Sequence, residues 1–145
     1  MEFEFDKKSI LDAITKGIHA IFGDDYNIES GEVKQGMEKP CFFVRMLNGE
    51  EMHQRGQRYK RNLNFLIIGF SQDDDVVKLY DMADKLYNLD YVKLANGDLL
   101  RCINKSDRVE DNTLQFFFDI RCFIYKNTTV DLQKKMENVT VEIKK

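Results

Sequence analysis

The stretch that decides the fold is KPCFFVRMLNGEEMHQRGQRYKRNLNFLIIGF, residues 39–70. It contains two apolar runs, residues 41–46 and 63–70, which predict neighbouring β-strands. The polar segment between them, residues 48–61, is much longer than the roughly two to five residues of an ordinary hairpin loop. Its glycines and clustered cationic side chains indicate an arm that reaches out of the sheet and becomes ordered on a partner. The stretch therefore predicts both a sheet core and a contact surface.

Composition limits the class of protein. The chain has 145 residues, of which 43% are hydrophobic and 12% aromatic, enough for one domain with its own core. The formal net charge of -3 argues against a general nucleic-acid binder, which needs a basic face to displace counterions from phosphate. No apolar run approaches the roughly twenty residues that span a bilayer, and the N-terminus lacks the order of a signal peptide. We expect a cytoplasmic protein without a membrane segment.

The cysteines and histidines do not predict a metal site. Cys41, Cys102 and Cys122 each lie inside an apolar run, far in sequence from one another and from His19 and His53. Zinc sites use closely spaced cysteine and histidine ligands, whereas isolated cysteines are usually small buried hydrophobes. We therefore expect buried free thiols and no cofactor.

Three consecutive carboxylates, Asp73, Asp74 and Asp75, precede the second predicted helix. Carboxylates at a helix start accept hydrogen bonds from free amides and complement the helix dipole. A Mg²⁺ or Ca²⁺ site is the alternative interpretation, but consecutive residues point in different directions and no further ligand spacing follows. Capping is the prediction.

Apolar residues at three- and four-residue spacing predict two helices. The first covers residues 6–22, begins at a cap on Asp6 or Ser9 and ends at Gly23. The second begins within residues 71–75 and ends near Leu89. The predicted buried stripes are Ile10, Leu11, Ile14, Ile18, Ile21 and Phe22, and Val76, Leu79, Tyr80, Ala83, Leu86 and Tyr87.

Further strands are predicted on both sides of the second helix. A short strand is expected within residues 26–33, and Pro40 should stand at the start of the next one. Asn96-Gly97 predicts a tight hairpin between residues 91–95 and 98–102. After a polar connection over residues 105–112, residues 114–125 alternate strictly, with the even positions facing the core. This last strand should be central.

The fold class that follows is α+β. A largely antiparallel β-sheet carries two α-helices packed on it, a long β-hairpin arm and a separable C-terminal tail. Residues 1–126 form a single domain and residues 127–145 an extension, in which Val139, Val141 and Ile143 alternate with polar residues. That segment either folds back on its own sheet or adds to the edge of a partner's sheet.

The sequence contains no motif that predicts catalysis. It has no glycine-rich phosphate loop, HExxH or nucleophile elbow, and its carboxylates lie at solvated helix starts and turns. A non-enzymatic protein is expected. The side chains that stand out as contact candidates are the basic set, Arg55, Arg58, Tyr59, Lys60 and Arg61, and the acidic set, Asp73, Asp74 and Asp75.

Two segments resemble a known family. After the N-terminal helix, GEVKQGMEKPCFFVRML (residues 31–47) and GQRYKRNLNFLIIGF (residues 56–70) resemble phage tail terminator proteins of the Gram-positive prophage type, also found in phage-derived contractile particles. The resemblance extends from about Ile10 to Tyr125. It is carried by Glu32, Gln35, Gly36, Pro40, Cys41, Phe42 and Phe43, and by Arg58, Tyr59, Lys60 and Arg61.

The resemblance implies a capping role. Tail terminators form a ring, typically of six copies, on a completed tail tube, where they stop polymerisation and face a connector and, in contractile tails, the last sheath ring. It implies assembly in the bacterial host cytoplasm and a final place in the particle. The basic set would contact the ring or tube, the acidic set would be its complement, and Val139, Val141 and Ile143 would form a strand for the sheath.

Two alternative functions remain compatible with the sequence. One is a head-to-tail neck adaptor, and the other is a small nucleic-acid-binding module that stacks bases on Tyr59.

Overall fold

A computed structural model describes residues 6–31 and 36–126. Its two helices are α1 (Lys7–Phe22) and α2 (Val76–Leu86). Its six strands are β1 (Asn27–Ser30), β2 (Cys41–Arg55), β3 (Arg58–Phe70), β4 (Tyr91–Lys93), β5 (Leu99–Glu110) and β6 (Thr113–Tyr125). The predicted C-terminal strand and the family-like positions Glu32 and Gln35 lie outside the described residues.

The strands form one mixed sheet in the order β1-β2-β3-β6-β5-β4. β1 runs parallel to β2, and the other neighbouring strands are antiparallel. The predicted α+β class with a largely antiparallel sheet is therefore confirmed, with the exception of the parallel β1. β6 lies between β3 and β5, as its long alternation predicts, and its even-numbered residues from Leu114 to Ile124 are buried.

Both helices pack on the same face of this sheet and close a single apolar core. α1 begins at Asp6, whose carboxylate accepts a hydrogen bond from the Ser9 amide at 2.8 Å, and ends at Gly23 with φ of 85°. The core joins buried side chains of α1 and α2 to those of β2, β3, β5 and β6. Its largest buried members include Phe42, Phe65, Phe116, Phe118, Ile10, Ile14, Ile18, Leu63, Ile67, Leu79 and Met82.

The structure corrects the prediction of a projecting arm. Residues 48–55 continue β2, and residues 58–61 begin β3, so only Gly56 and Gln57 form the connection. β3 pairs with β6 from Arg58 opposite Tyr125 to Gly69 opposite Leu114. The segment is a long hairpin within the sheet and does not reach out of it. Residues 48–55 pair with β3 and residues 58–61 pair with both β2 and β6, and hydrophobic periodicity does not reveal this backbone pairing.

The end of β5 and the start of α2 also differ from the prediction. The polar residues 105–110 belong to β5, and the chain turns at Asp111 and Asn112, both of which have positive φ. α2 is shorter than predicted, because residues 72–74 form a separate 3-10 turn before Val76. It also ends at Leu86 and not near Leu89. Of the predicted stripe, Leu79, Ala83 and Leu86 are buried, Val76 is half-buried, and Tyr80 and Tyr87 are exposed; Met82 is the buried residue that the prediction missed.

Candidate assembly surface

The end of the β2–β3 hairpin gathers positive charge. Arg55 and Arg58 are directly opposite each other across the turn, and both are exposed. Like charges in a cross-strand pair are destabilising, and local rules of this kind are usually broken at functional sites. These two residues and Lys60 are defined here as the hairpin end.

The five predicted basic-set residues divide between the two faces of the sheet. Alternation places Tyr59 and Arg61 on the helix-bearing face with Leu63, and Arg58 and Lys60 on the opposite face. On that opposite face the Arg58 guanidinium lies 4.0 Å from the ring centroid of Phe123. The stacking holds Arg58 on the surface of β6, so its charge is presented in a fixed position.

Arg61 takes part in an ion-pair network within the domain. Its Nε donates to the Glu51 carboxylate at 3.0 Å, and Lys126 Nζ donates to the other oxygen of the same carboxylate. Hydrogen bonds from Lys126 and then Arg61 lower the pKa of Glu51 below its ordinary value of 4.5. The network joins β2 and β3 to the end of β6, which gives Arg61 a structural role in the hairpin.

Tyr59 also has partners inside the domain. Its ring stacks on His53 with centroids 4.6 Å apart and an interplanar angle of 27°, and Lys126 Nζ lies 4.3 Å from its centroid. His53 in turn is hydrogen-bonded to the carbonyl of Gly56 at 2.7 Å. Tyr59 therefore braces the hairpin turn.

The acidic residues do not converge on one point. Asp75 caps α2 and accepts a hydrogen bond from the Val77 amide at 3.0 Å, as predicted for the group. Asp73 and Asp74 precede the helix in the 3-10 turn with φ of 63° and 52°, and Asp74 pairs with Lys39 at 2.8 Å. Within residues 6–31 and 36–126, no group of three histidine, cysteine or acidic side chains could hold a metal ion.

The two charged regions lie at opposite ends of one strand. β3 begins at Arg58 beside the hairpin turn and ends at Phe70, directly before the acidic turn. Its thirteen residues correspond to roughly 40 Å at about 3.3 Å per residue. A positive end and a negative end are thus separated by nearly the full length of the domain.

The predicted buried thiols are confirmed. Cys41, Cys102 and Cys122 are free and each is at most 7% exposed. Burial raises the pKa of all three, that of Cys102 to about 12. The thiols are therefore protonated at neutral pH and unsuited to nucleophilic chemistry.

Sequence reasoning missed the partners that hold the basic residues in place. Glu51, Phe123 and Lys126 become neighbours of the hairpin only through the β2–β3–β6 register. It also missed a polar row across four strands on the helix-free face. Asn64 donates to Asp119 at 2.6 Å, Asn104 donates to it at 2.9 Å, and Asn48 donates to Asn64 at 3.3 Å. No sequence motif marks such a row, because its members are distant in the chain.

Comparison with known proteins gives the family. Residues 9–131 match the model of a family described as phage tail terminator protein. The chain belongs to the phage tail terminator family. It is therefore a structural component of a phage-type tail, and the family is not one of enzymes. No curated protein matches the sequence significantly.

Among solved structures, the terminator chain is similar to a chain in the "Virion of native gene transfer agent (GTA) particle". The two share 10% sequence identity with a TM-score of 0.49, over 82% of this chain and 96% of the other. In the part of the terminator that the structure describes, neither helix has the length and apolar character needed to cross a membrane.

Proposed function

We propose that this terminator caps the end of a phage or phage-tail-like tube as a ring, typically of six copies, and stops tube growth. Assembly takes place in the bacterial host cytoplasm, and the ring then contacts the connector or, in a contractile tail, the last sheath ring. Family membership over residues 9–131 is the observation that carries this proposal.

The charge distribution supports a ring with head-to-tail contacts. Such a ring needs two different, complementary surfaces on each subunit, because one patch meets the other on the next copy. The hairpin end is positive and the turn with Asp73 and Asp74 is negative, at opposite ends of β3. Electrostatic complementarity between them would set the orientation and speed of association.

Side-chain positions support a smaller set of contact residues than the sequence suggested. Arg55, Arg58 and Lys60 would provide the positive surface and Asp73 the negative one, because Lys39 already pairs with Asp74. Arg61 and Tyr59 shape the hairpin from the opposite face, where Glu51 and His53 hold them.

Charge reversal at the hairpin end tests the proposal. Arg55→Glu with Arg58→Glu should leave the fold intact and remove rings from tube ends in negative-stain images, with longer and uncapped tubes as the result. The matched control is Lys93→Glu with Arg101→Glu, which makes the same charge change at exposed positions on β4 and β5. Normal capping by the hairpin variant would exclude this surface. Absence of the wild-type protein from tube ends would refute the terminator role.

The two alternatives make different predictions. A nucleic-acid module would need Tyr59 as a stacking platform, but the ring of Tyr59 already contacts His53 and Lys126. Retention on single-stranded DNA that falls steeply with salt would favour that module. A neck adaptor shares the ring geometry, and images that place the protein on the head side of a separate capping ring would favour it.

A further inference from the structure

The helix-free face of the sheet carries an apolar cluster beside the hairpin end. Met52 and Phe123 lie on either side of Lys60 in a row across β2, β3 and β6. Met52 is 40% exposed, Phe123 44% and Tyr125 66%. We call this cluster and the cations on the same face the sheet patch, which consists of Met52, Arg58, Lys60, Arg121, Phe123 and Tyr125.

The solvent side of α2 carries a second apolar cluster. Val77 is 72% exposed and Tyr80 53%. Residues three, four and seven positions apart share one face of a helix, so Asp81 and Asp84 lie beside Val77. Asp81 pairs with Lys85 at 3.3 Å, whereas Asp84 is exposed and forms no ion pair within residues 6–31 and 36–126. We call Val77, Tyr80, Asp81 and Asp84 the helix patch.

The two patches match each other in polarity and charge. Protein interfaces have an apolar centre and a polar rim. Both patches have an apolar centre, and the charged side chains around it are cations on the sheet patch and carboxylates on the helix patch. Glu50 lies beside the sheet patch, where it accepts a hydrogen bond from Asn62 at 3.2 Å, and one carboxylate does not balance three cations. Opposite net charge therefore favours contact between the patches.

The two patches cannot meet within one folded chain. The sheet patch lies on the helix-free face, whereas α2 packs on the other face, so the sheet and the core separate them. Each chain can therefore offer the patches only to two different neighbours, which is the arrangement of a head-to-tail ring. The patches also continue the proposed charge contact, because Arg58 and Lys60 belong to the sheet patch and Asp73 lies in the turn directly before α2.

We propose that the helix patch of one terminator copy packs on the sheet patch of the next copy in the ring. The inference rests on the proposed ring and adds an apolar contact to its charge contact. The exposed side of α2 would cover Phe123 and Tyr125 of the neighbour, with its carboxylates against the three cations. In a closed ring every copy would have both patches buried. The occupant of each patch is thus a second copy of this chain.

A double-cysteine variant of the full chain, Asp84→Cys with Arg121→Cys, tests the contact on capped tubes treated with a short bismaleimide. The two introduced thiols lie on opposite sides of one chain, so a link between them joins different copies. The native cysteines are buried and react slowly. We expect a ladder of covalent multimers in a denaturing gel, whereas each single-cysteine variant should stay monomeric. The matched control, Asp12→Cys with Arg121→Cys, moves the first thiol to an exposed position on α1 and should give no ladder.

A charged residue at position 80 tests the electrostatic part of the contact in the same double-cysteine chain. Tyr80→Arg places another cation against the sheet patch and should lower the yield of multimers by about tenfold or more, because like charges would face each other. Tyr80→Glu is equally polar and should retain most of the yield. Equal losses in the two variants would contradict the charge complementarity of the patches.

The remaining outcomes overturn the inference in distinguishable ways. Capped tubes without a ladder would refute the contact between patches and leave the terminator function standing. A link from Arg121→Cys to the tube protein would make the tube the occupant of the sheet patch. Covalent dimers of the Asp84→Cys single variant would indicate a symmetric contact between two α2 helices. Absence of wild-type rings from tube ends would refute the proposed function itself.

Discussion

Gly69 shows how a single residue lets the second helix approach the sheet. A Cβ built at this position would lie 3.0 Å from Phe42 Cε1 and 3.2 Å from Met82 Cε. Gly69→Val should therefore destabilise the domain by about 1–3 kcal/mol, because the core has no room for it. Urea denaturation measures the change. Gly49→Val is the control, since its Cβ would have no neighbour closer than 3.4 Å, and an equal loss in both variants would refute the packing argument.

Glu51 makes the hairpin sensitive to acid. Its pKa is lowered by Lys126 and Arg61, so its ion pairs contribute full stability above pH 4.5 and lose it as the pH falls through the lower folded value. Glu51→Gln should be less stable than the wild type at neutral pH, by up to about 1 kcal/mol because the pair is partly exposed. The two unfolding free energies should converge in acid. Measurement at a series of pH values checks this, and a constant difference would contradict it.

Among the elements, those with an apolar face were predictable and those held by pairing alone were not. β6 has a strict alternation and followed from the sequence. The hairpin around Asn96-Gly97 also followed, but residues 94–98 connect its strands where a two-residue turn was predicted. Residues 48–55 of β2 have exposed polar side chains, so their sequence pattern is that of a loop. Its strand conformation depends on backbone hydrogen bonds to β3, which in turn pairs with β6. For the same reason the sequence did not predict that Arg58 contacts Phe123 or that Arg61 pairs with Glu51, because both contacts depend on strand register.

The start of α2 separates a capping role from a contact role within the acidic set. Asp75→Ala removes the hydrogen bond to the Val77 amide and should lower stability by about 1 kcal/mol. Asp73→Asn keeps a residue that tolerates positive φ and should leave stability nearly unchanged while weakening ring assembly. Chemical denaturation and sedimentation together distinguish the two effects. A stability loss from Asp73→Asn as large as that from Asp75→Ala would assign both residues to the fold.

At the scale of the whole molecule, the two faces of the sheet differ in what covers them. One face carries both helices and the core, and in the described residues no helix covers the other. There Phe123 and Phe117 lie under the guanidinium groups of Arg58 and Arg108, with centroid distances of 4.0 and 5.6 Å. The guanidinium groups cover these rings and keep this face of the sheet charged, which limits its exposed apolar area.

The predicted boundary between residues 126 and 127 can be tested by truncation. Among residues 6–31 and 36–126, the buried apolar side chains lie between Ile10 and Ile124, and Lys126 contacts Glu51 and Gln57. A protein ending at Lys126 should therefore unfold in one cooperative transition close to that of the full chain, since it retains every buried apolar side chain of the described residues. Thermal denaturation followed by near-ultraviolet circular dichroism measures this. A truncation after Tyr125 should be less stable, because it also removes the Lys126–Glu51 ion pair. Loss of near-ultraviolet signal in the protein ending at Lys126 would instead place residues 127–145 in the core of the domain.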